Sequence, residues 1–349
     1  MSETRILLTG ATGYIGGSVL TALLTSSDPH VKACKLSTLV RKRSQADILQ
    51  QKNVNAIVFD GLDDLDTLRT VASEHDIVIN AALTYHTPAA EALLRGLEDR
   101  RKKYNKPVHV IHTSGTSSLA DLPVSGTYTE SATFSDKSDI YSYERSRQSI
   151  QPYIQRTSDL LVCEQGEASD VATYIIMPPL IYGKGTGFFN RRSIQINTIM
   201  RAALRDGNAS RIDKGEHEWD HVHILDLAQF YELMLVRILE GCNKLDVHSK
   251  GIYFCQSGHQ TWGEVSDRVA RVGYALGFLK SYTVRQVTLQ DAAERFWRGL
   301  PLEALEPTLA SRSQTRADKA CELGWRPVKS REDFEGCFAD EWVSVKNEA

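Results

Sequence analysis

Short apolar runs alternate with stretches of helical period along the first half of the chain. Arg5-Ile6-Leu7-Leu8 reads as a buried strand, and Ile15, Val19 and Leu23 then recur at the spacing of one helix face. Residues 36–40 and 54–59 predict a second and a third strand, and Leu62, Leu65, Leu68 and Val71 mark the helix that follows. Ile77-Val78-Ile79 predicts a fourth strand, residues 88–104 a helix opened by proline, and residues 108–112 and 173–177 a fifth and a sixth strand. Strands separated by helical stretches need right-handed crossovers, so the pattern predicts an α/β fold with a parallel sheet covered on both faces. Beyond Pro178 the period becomes irregular. A loop over residues 182–187 precedes helices predicted around 193–205 and 225–239, a helix carrying Trp262, Val265, Val269, Val272 and Leu276, and one over 318–323 that stops at Gly324. This division predicts a dinucleotide-binding region over residues 1–180 and a smaller, mainly substrate-binding region over 181–349, with 221–240 packing back on the first. The stretch 117–140 is rich in Ser, Thr and Asp and without period, which predicts a functional or mobile loop.

In such sheets ligands collect at the C-terminal strand ends. Those ends carry Arg41, Asp60, Asn80-Ala81-Ala82, Thr113-Ser114-Gly115-Thr116 and Pro178-Pro179. The first strand runs into Thr9-Gly10-Ala11-Thr12-Gly13-Tyr14-Ile15-Gly16-Gly17. Gly10 can take a backbone conformation closed to other residues, Gly13 lets a pyrophosphate approach, and Gly16 lets the helix sit close to the strand. The helix start also offers free N–H groups and the positive end of its dipole to phosphate. Gly10, Thr12, Gly13, Tyr14, Ile15 and Gly16 therefore form the expected dinucleotide turn, joined by Ala81, Ala82 and Pro178 at neighbouring strand ends.

Composition narrows the partners. The net charge of −3 over 349 residues gives no electrostatic case for nucleic acid or a membrane surface. The basic cluster Arg100-Arg101-Lys102-Lys103 reads as a solvated helix end. Six scattered cysteines without a CxxC pair read as reduced thiols, and positions two to five are polar, so a cytoplasmic protein is expected. A small-molecule substrate is the expected partner; the oligomeric state stays open, with a homodimer among the options.

Several motifs in order resemble the extended short-chain dehydrogenases/reductases, in the NAD-dependent epimerase/dehydratase-like group. They are TGATGYIGG at residues 9–17, DIVINAA at 76–82, IHTSGTS at 111–117, MPPLIYGKG at 177–185, HVHILDLA at 221–228 and KACELGWRP at 319–327. The resemblance implies a Rossmann-like doubly wound sheet and a nicotinamide cofactor. It also implies a structural role for His223 and Asp226, and His217, His221 and His223 are read as strand and turn residues without metal. Asp60, with Gly61 after it, resembles the position that meets adenine.

An acid at the end of the second strand binds the ribose 2′-hydroxyl of NAD, whereas a base there suits the 2′-phosphate of NADP. This chain has Arg41-Lys42-Arg43 and no acid, so NADP(H) is expected through Arg41 and Arg43, with NAD(H) as the alternative. The family's reductases pair a tyrosine with a lysine four residues on, and that pair is absent. The nearest substitutes are Tyr141 with Arg145 and Tyr143 with Arg147, while a third tyrosine, Tyr153, is followed by Thr157. Tyr141 or Tyr143 is the expected proton donor, with Arg145 beside it, and Ser114 or Thr116 the carbonyl-polarising hydroxyl. Three functions follow: an NADP(H)-dependent oxidoreductase on a small or mid-sized organic substrate, a non-redox epimerase, dehydratase or lyase, and a dinucleotide-sensing protein without turnover.

Overall fold

A computed structural model describes residues 3–296 and 302–347. Its main sheet has seven strands, all parallel. They include β1 (Arg5–Thr9), β2 (Lys35–Val40), β3 (Asn55–Val58), β4 (Ile77–Asn80) and β5 (His109–Thr113), continued by Ala172–Met177 and Ile252–Phe254. The order is β3-β2-β1-β4-β5, then Ala172–Met177 and Ile252–Phe254 at the far edge. The strand order therefore reverses between β1 and β4, and crevices for ligands open at such a reversal. Six strands lie within one residue of their sequence-predicted ends. The seventh was not foreseen, because Ile252–Phe254 is three residues long and follows a turn-rich segment.

Ile6, Leu7 and Leu8 are fully buried, as are Val78 and Ile79 on β4, because helices cover both faces of these central strands. Tyr14–Thr25 packs with Ile224–Leu239, whereas Leu65–Ala72, Thr87–Tyr104 and Ile154–Ser169 pack together. Val222, Leu227, Phe230, Tyr231 and Leu235 join the same core as the sheet. A second core gathers Met200, Trp219, Trp262, Leu305, Phe338 and Trp342 around a three-stranded sheet of Leu180–Tyr182, Glu218–His223 and Gly258–Thr261. The C-terminal helix Arg331–Lys346, also unforeseen, supplies Phe334, Phe338, Trp342 and Val345 to that core, and the Ser330 side chain caps its start.

Two expectations need correction. The segment after β5 is held in place by distant chain: Thr133–Ser135 pairs with Gln314–Arg316, the Arg312 amide donates to Asp121 Oδ1 at 2.6 Å, and Ser313 Oγ donates to the Thr116 carbonyl at 2.8 Å. The basic cluster is also more than a solvated end. Arg100 is half-buried and donates to Asp76 Oδ1 from Nε (2.9 Å) and Nη2 (2.6 Å), while Arg101 pairs with Asp170. Both cations thereby tie the long helix to the strand entrances on either side of it. No described helix is long and apolar enough to cross a membrane, and the six cysteines form no disulfide among the described residues.

Candidate active site

The chain leaves β1 through Gly10, whose φ of +75° is open to glycine and strained for other residues. A Cβ here would lie 2.3 Å from the Ala81 carbonyl oxygen and 2.8 Å from the Ala82 nitrogen, so the turn and the end of β4 touch backbone to backbone. A Cβ on Gly16 would lie 2.3 Å from the Gly10 oxygen. Gly13 differs, because its Cβ would meet only the Gly10 oxygen, at 3.1 Å. Gly10 and Gly16 are thus glycine for the fold, and Gly13 leaves open space in front of the helix. That helix starts at Tyr14 with no side-chain cap and no acidic residue in its first turn. Its leading amides are left to an anion, so the residues present fit a pyrophosphate.

The other expected cofactor residues divide by what their side chains do. Tyr14 is buried and donates its hydroxyl to the Gly183 carbonyl at 2.6 Å, so the side chain anchors the following loop, and only its backbone belongs to the turn. That loop lies against the first helix: the Thr186 amide donates to Ser18 Oγ, the Asn190 amide donates to the Thr12 carbonyl at 3.2 Å, and a Cβ on Gly187 would come within 2.8 Å of the Gly17 Cα. Thr12 and Ile15 are half-buried around it. Arg41 is exposed past the end of β2, whereas Arg43 is engaged by Asp47 at 3.0 Å. Asp60 is exposed past β3, and Gly61 follows at φ +126° with nothing near its missing Cβ. Pro178 is buried and accepts the Thr116 amide at 3.1 Å, joining the ends of β5 and Ala172–Met177.

At the end of β5, Ser114 Oγ donates to Asp159 Oδ2 at 2.7 Å and accepts from Gln155 Nε2 at 3.1 Å. Ser118 Oγ donates to the same carboxylate oxygen at 2.9 Å. Thr116 is 1 % exposed and its hydroxyl has no partner among the described residues. A buried hydroxyl without a partner costs stability unless something else takes the bond, which leaves Thr116 available to a bound molecule.

The tyrosines fall differently from expectation. Tyr141 Oη donates to Glu164 Oε1 at 2.8 Å in an exposed setting. Tyr143 packs against Phe134 with the rings tilted by 56°, and its hydroxyl meets Tyr128, Glu130 and Arg147. The structure brings neither to Ser114 or Thr116, and burial raises the pKa of both. Arg145 stands with them on the helix Ile140–Ile150. Tyr153, by contrast, stands at the start of Ile154–Ser169, the helix that leads into the sixth strand, and donates to Ser117 Oγ at 3.2 Å. It is 8 % exposed, and burial, followed by neighbouring Tyr85, holds its pKa above the ordinary tyrosine value. Four residues on, Thr157 bonds back to the Tyr153 carbonyl. Tyr153 is therefore a neutral donor at neutral pH. The signal that favours it over the other two candidates is its place just ahead of the helix preceding the sixth strand, although no lysine follows it at the fixed spacing.

Farther out, Asp226 accepts the Val328 and Lys329 amides at 3.1 Å each, and His223 Nδ1 caps the helix Ile224–Leu239. Among the described residues no His, Cys, Asp and Glu group is arranged to hold a metal.

Comparison with known proteins places this architecture. An oxidase from an Acremonium species, ucsJ, is 28% identical over 304 residues, covering 83% of this chain and 84% of its own. An uncharacterised Saccharomyces cerevisiae protein is 23% identical over 334 residues, covering 93% of this chain and 94% of its own. The dTDP-glucose 4,6-dehydratase DesIV from Streptomyces venezuelae, solved with NAD and TYD, superposes with a TM-score of 0.65 at 18% identity over 99% of this chain and 97% of its own. A UDP-glucuronic acid 4-epimerase from Bacillus cereus, solved with UDP-glucuronic acid and NAD, gives 0.62 at 14% over 99% and 100%. At such identities the likeness is one of fold. The model of the NAD dependent epimerase/dehydratase family matches residues 6–245, and the chain belongs to that family.

Proposed function

We propose that the protein is an NADP(H)-dependent oxidoreductase that interconverts an alcohol and a carbonyl on a small or mid-sized organic substrate. The observation that carries this reading is the meeting of two features at one end of the sheet: an uncapped helix start behind Gly10, and the hydroxyls of Ser114, Thr116 and Tyr153 at and beyond the end of β5. Gly13 with the amides of Tyr14, Ile15 and Gly16 would hold the pyrophosphate, Ala81, Ala82 and Pro178 would border the cofactor, and Asp60 with Gly61 would meet adenine. The exposed Arg41 would take the 2′-phosphate. Bound there, the nicotinamide would supply hydride transfer. Thr116 would polarise the substrate oxygen with its free hydroxyl, and Tyr153 would donate a second hydrogen bond. The relative named an oxidase supports redox chemistry.

Purified protein mixed with NADPH and a panel of ketones, or NADP+ and the matching alcohols, should change nicotinamide absorbance. No change with any member, together with undetectable binding of either dinucleotide, would overturn the proposal. The names of the dehydratase and epimerase neighbours favour a second reading, internal redox chemistry without net cofactor turnover. It is distinguished by product formation at constant nicotinamide absorbance.

A further inference from the structure

We propose that the buried carboxyl pair Asp159–Glu144 stores the proton that Ser114 exchanges with substrate, so that Ser114 backed by Asp159, and no tyrosinate, is the base of the reaction. The inference rests on the oxidoreductase reading above. Asp159 and Glu144 are both 0 % exposed and come from two different helices, Ile154–Ser169 and Ile140–Ile150. Asp159 Oδ2 receives the two serine hydroxyls, while Oδ1 and both oxygens of Glu144 have no donor among the described residues. Two carboxyls enclosed together cannot both ionise, so the pair holds a proton. Burial comes first in raising Glu144, with the charge of Asp159 next, and burial likewise raises Asp159. The strong rise leaves Glu144 the proton holder and Asp159 the member that titrates.

The surroundings balance one negative charge. Arg156, on the same helix as Asp159, donates to the Ser118 and Gln151 carbonyls and offsets the pair, with Arg147 beyond it. From β5, His112 faces Asp159 Oδ1 with Nε2 at 4.0 Å; burial drives its pKa to about 4, so the ring is neutral. Asn80 Nδ2 sits 3.0 Å from His112 Nδ1, and Thr9 Oγ1 donates to Asn80 Oδ1 at 2.7 Å. With Asn80 donating, the ring proton is assigned to Nε2, aimed at the carboxylate. Cys163, one turn beyond Asp159, is buried and its pKa is raised. Tyr143 and Tyr153 both remain protonated.

Ser114 connects this enclosed pair to the cleft. Its oxygen spends one lone pair on Gln155 and its proton on Asp159, leaving one lone pair for substrate. In the oxidative direction the substrate O–H bond breaks and its proton joins Ser114 Oγ, while the Ser114 proton moves to Asp159 Oδ2. The C–H electron pair would leave as hydride to an oxidised nicotinamide bound in the cleft, and the carbonyl would form. The reverse sequence reduces a carbonyl. This arrangement takes over the role that a lysine-lowered tyrosinate would fill, which Tyr153 with Thr157 four residues on does not.

Asp159 is a positioning and proton-holding residue here, and its test reads protonation directly. Infrared difference spectra of the full-length protein, wild type minus Asp159→Asn, are recorded from mildly acidic to mildly alkaline pH without ligand. They should show a protonated-acid carbonyl band that disappears near neutrality. Glu144→Leu, a change on a different helix, should move that midpoint up, because the neutral Glu144 carboxyl that stabilises the Asp159 carboxylate is removed. Calorimetric titration with NADP+ in buffers of different ionisation heat should show proton release in the wild type and almost none in Asp159→Asn at comparable affinity. An Asp159 band that is absent, or a midpoint that Glu144→Leu leaves unmoved or moves down, overturns the pair. NADP+ binding with equal proton release in wild type and Asp159→Asn overturns its link to the site. A protein that binds no dinucleotide overturns the oxidoreductase reading and the role built on it, with the infrared result still deciding the pair.

Discussion

Single side chains carry the sharpest expectations. Arg41 is exposed and free of ion pairs among the described residues, whereas Arg43 is already engaged by Asp47. Arg41→Ala should therefore weaken NADP(H) by roughly 1–3 kcal/mol, the scale of a charge-assisted bond to phosphate, with NAD(H) nearly unchanged, and Arg43→Ala should do much less. Calorimetry on both dinucleotides checks this; tighter NAD(H) binding in the unaltered protein would contradict it. At the turn, Gly13→Val should abolish dinucleotide binding in a folded protein, since only the Gly10 oxygen lies near the added Cβ and the rest of the side chain would occupy the place of the phosphate. Circular dichroism alongside the titration separates this from unfolding. Among tyrosines, Tyr153→Phe should lower turnover on an identified substrate about a hundredfold, with cofactor affinity kept. Tyr141→Phe should leave turnover near the wild-type value, because its hydroxyl serves Glu164 at the surface.

Elements tell how much the chain discloses by itself. The glycine-rich turn and six strands were legible because a buried parallel strand needs an unbroken apolar run and the turn needs glycine at fixed places. Ile252–Phe254 was hidden by its length, since three residues carry no period. The C-terminal helix had a readable signal in Phe334, Phe338 and Trp342 at four-residue spacing behind Ser330, diluted by the acids between them. The site was legible only in part. Ser114 and Thr116 follow from the end of β5, but Tyr153 and Asp159 depend on how one helix sits over that strand, which spacing rules do not encode. Glu144 lies in a polar stretch that reads as surface, yet it is enclosed. At this scale the glycine contacts also make a prediction. Gly16→Ala should cost stability and cofactor binding together, because its Cβ would lie 2.3 Å from backbone and the helix must shift from the strand. Thermal unfolding with and without NADPH reads both; an unchanged melting temperature would show that the spacing yields easily.

The molecule as a whole encloses several titrating groups, and their signs oppose one another. Asp220, 4 % exposed, accepts both the amide and the hydroxyl of Thr315, and burial pushes its pKa up to about 7. A carboxyl raised on folding contributes fully below its unfolded value near 4, and that contribution is lost as pH rises through about 7. His109, His112 and His221, lowered to about 4 by burial, act the other way: their contribution is complete above the unfolded value near 6.5 and is lost as pH falls toward 4. Asp220→Asn keeps an acceptor for Thr315 and removes only the ionisation. Its stability advantage over the wild type should grow from nearly nothing below about pH 4 to on the order of 3 kcal/mol above neutrality, measured by urea unfolding across pH. A constant difference would show that Asp220 ionises normally inside the fold. The pairing of Thr133–Ser135 with Gln314–Arg316, and the bonds from Arg312 and Ser313 to Asp121 and Thr116, join residues that synthesis separates by roughly two hundred positions. A growing chain can build the glycine turn long before the segment behind Thr116 meets its partners, which emerge roughly two hundred residues after it. Assembly is thereby ordered in time, with the glycine-turn side of the cleft shaped first and the Thr116 side completed only after residues 312–316 have emerged.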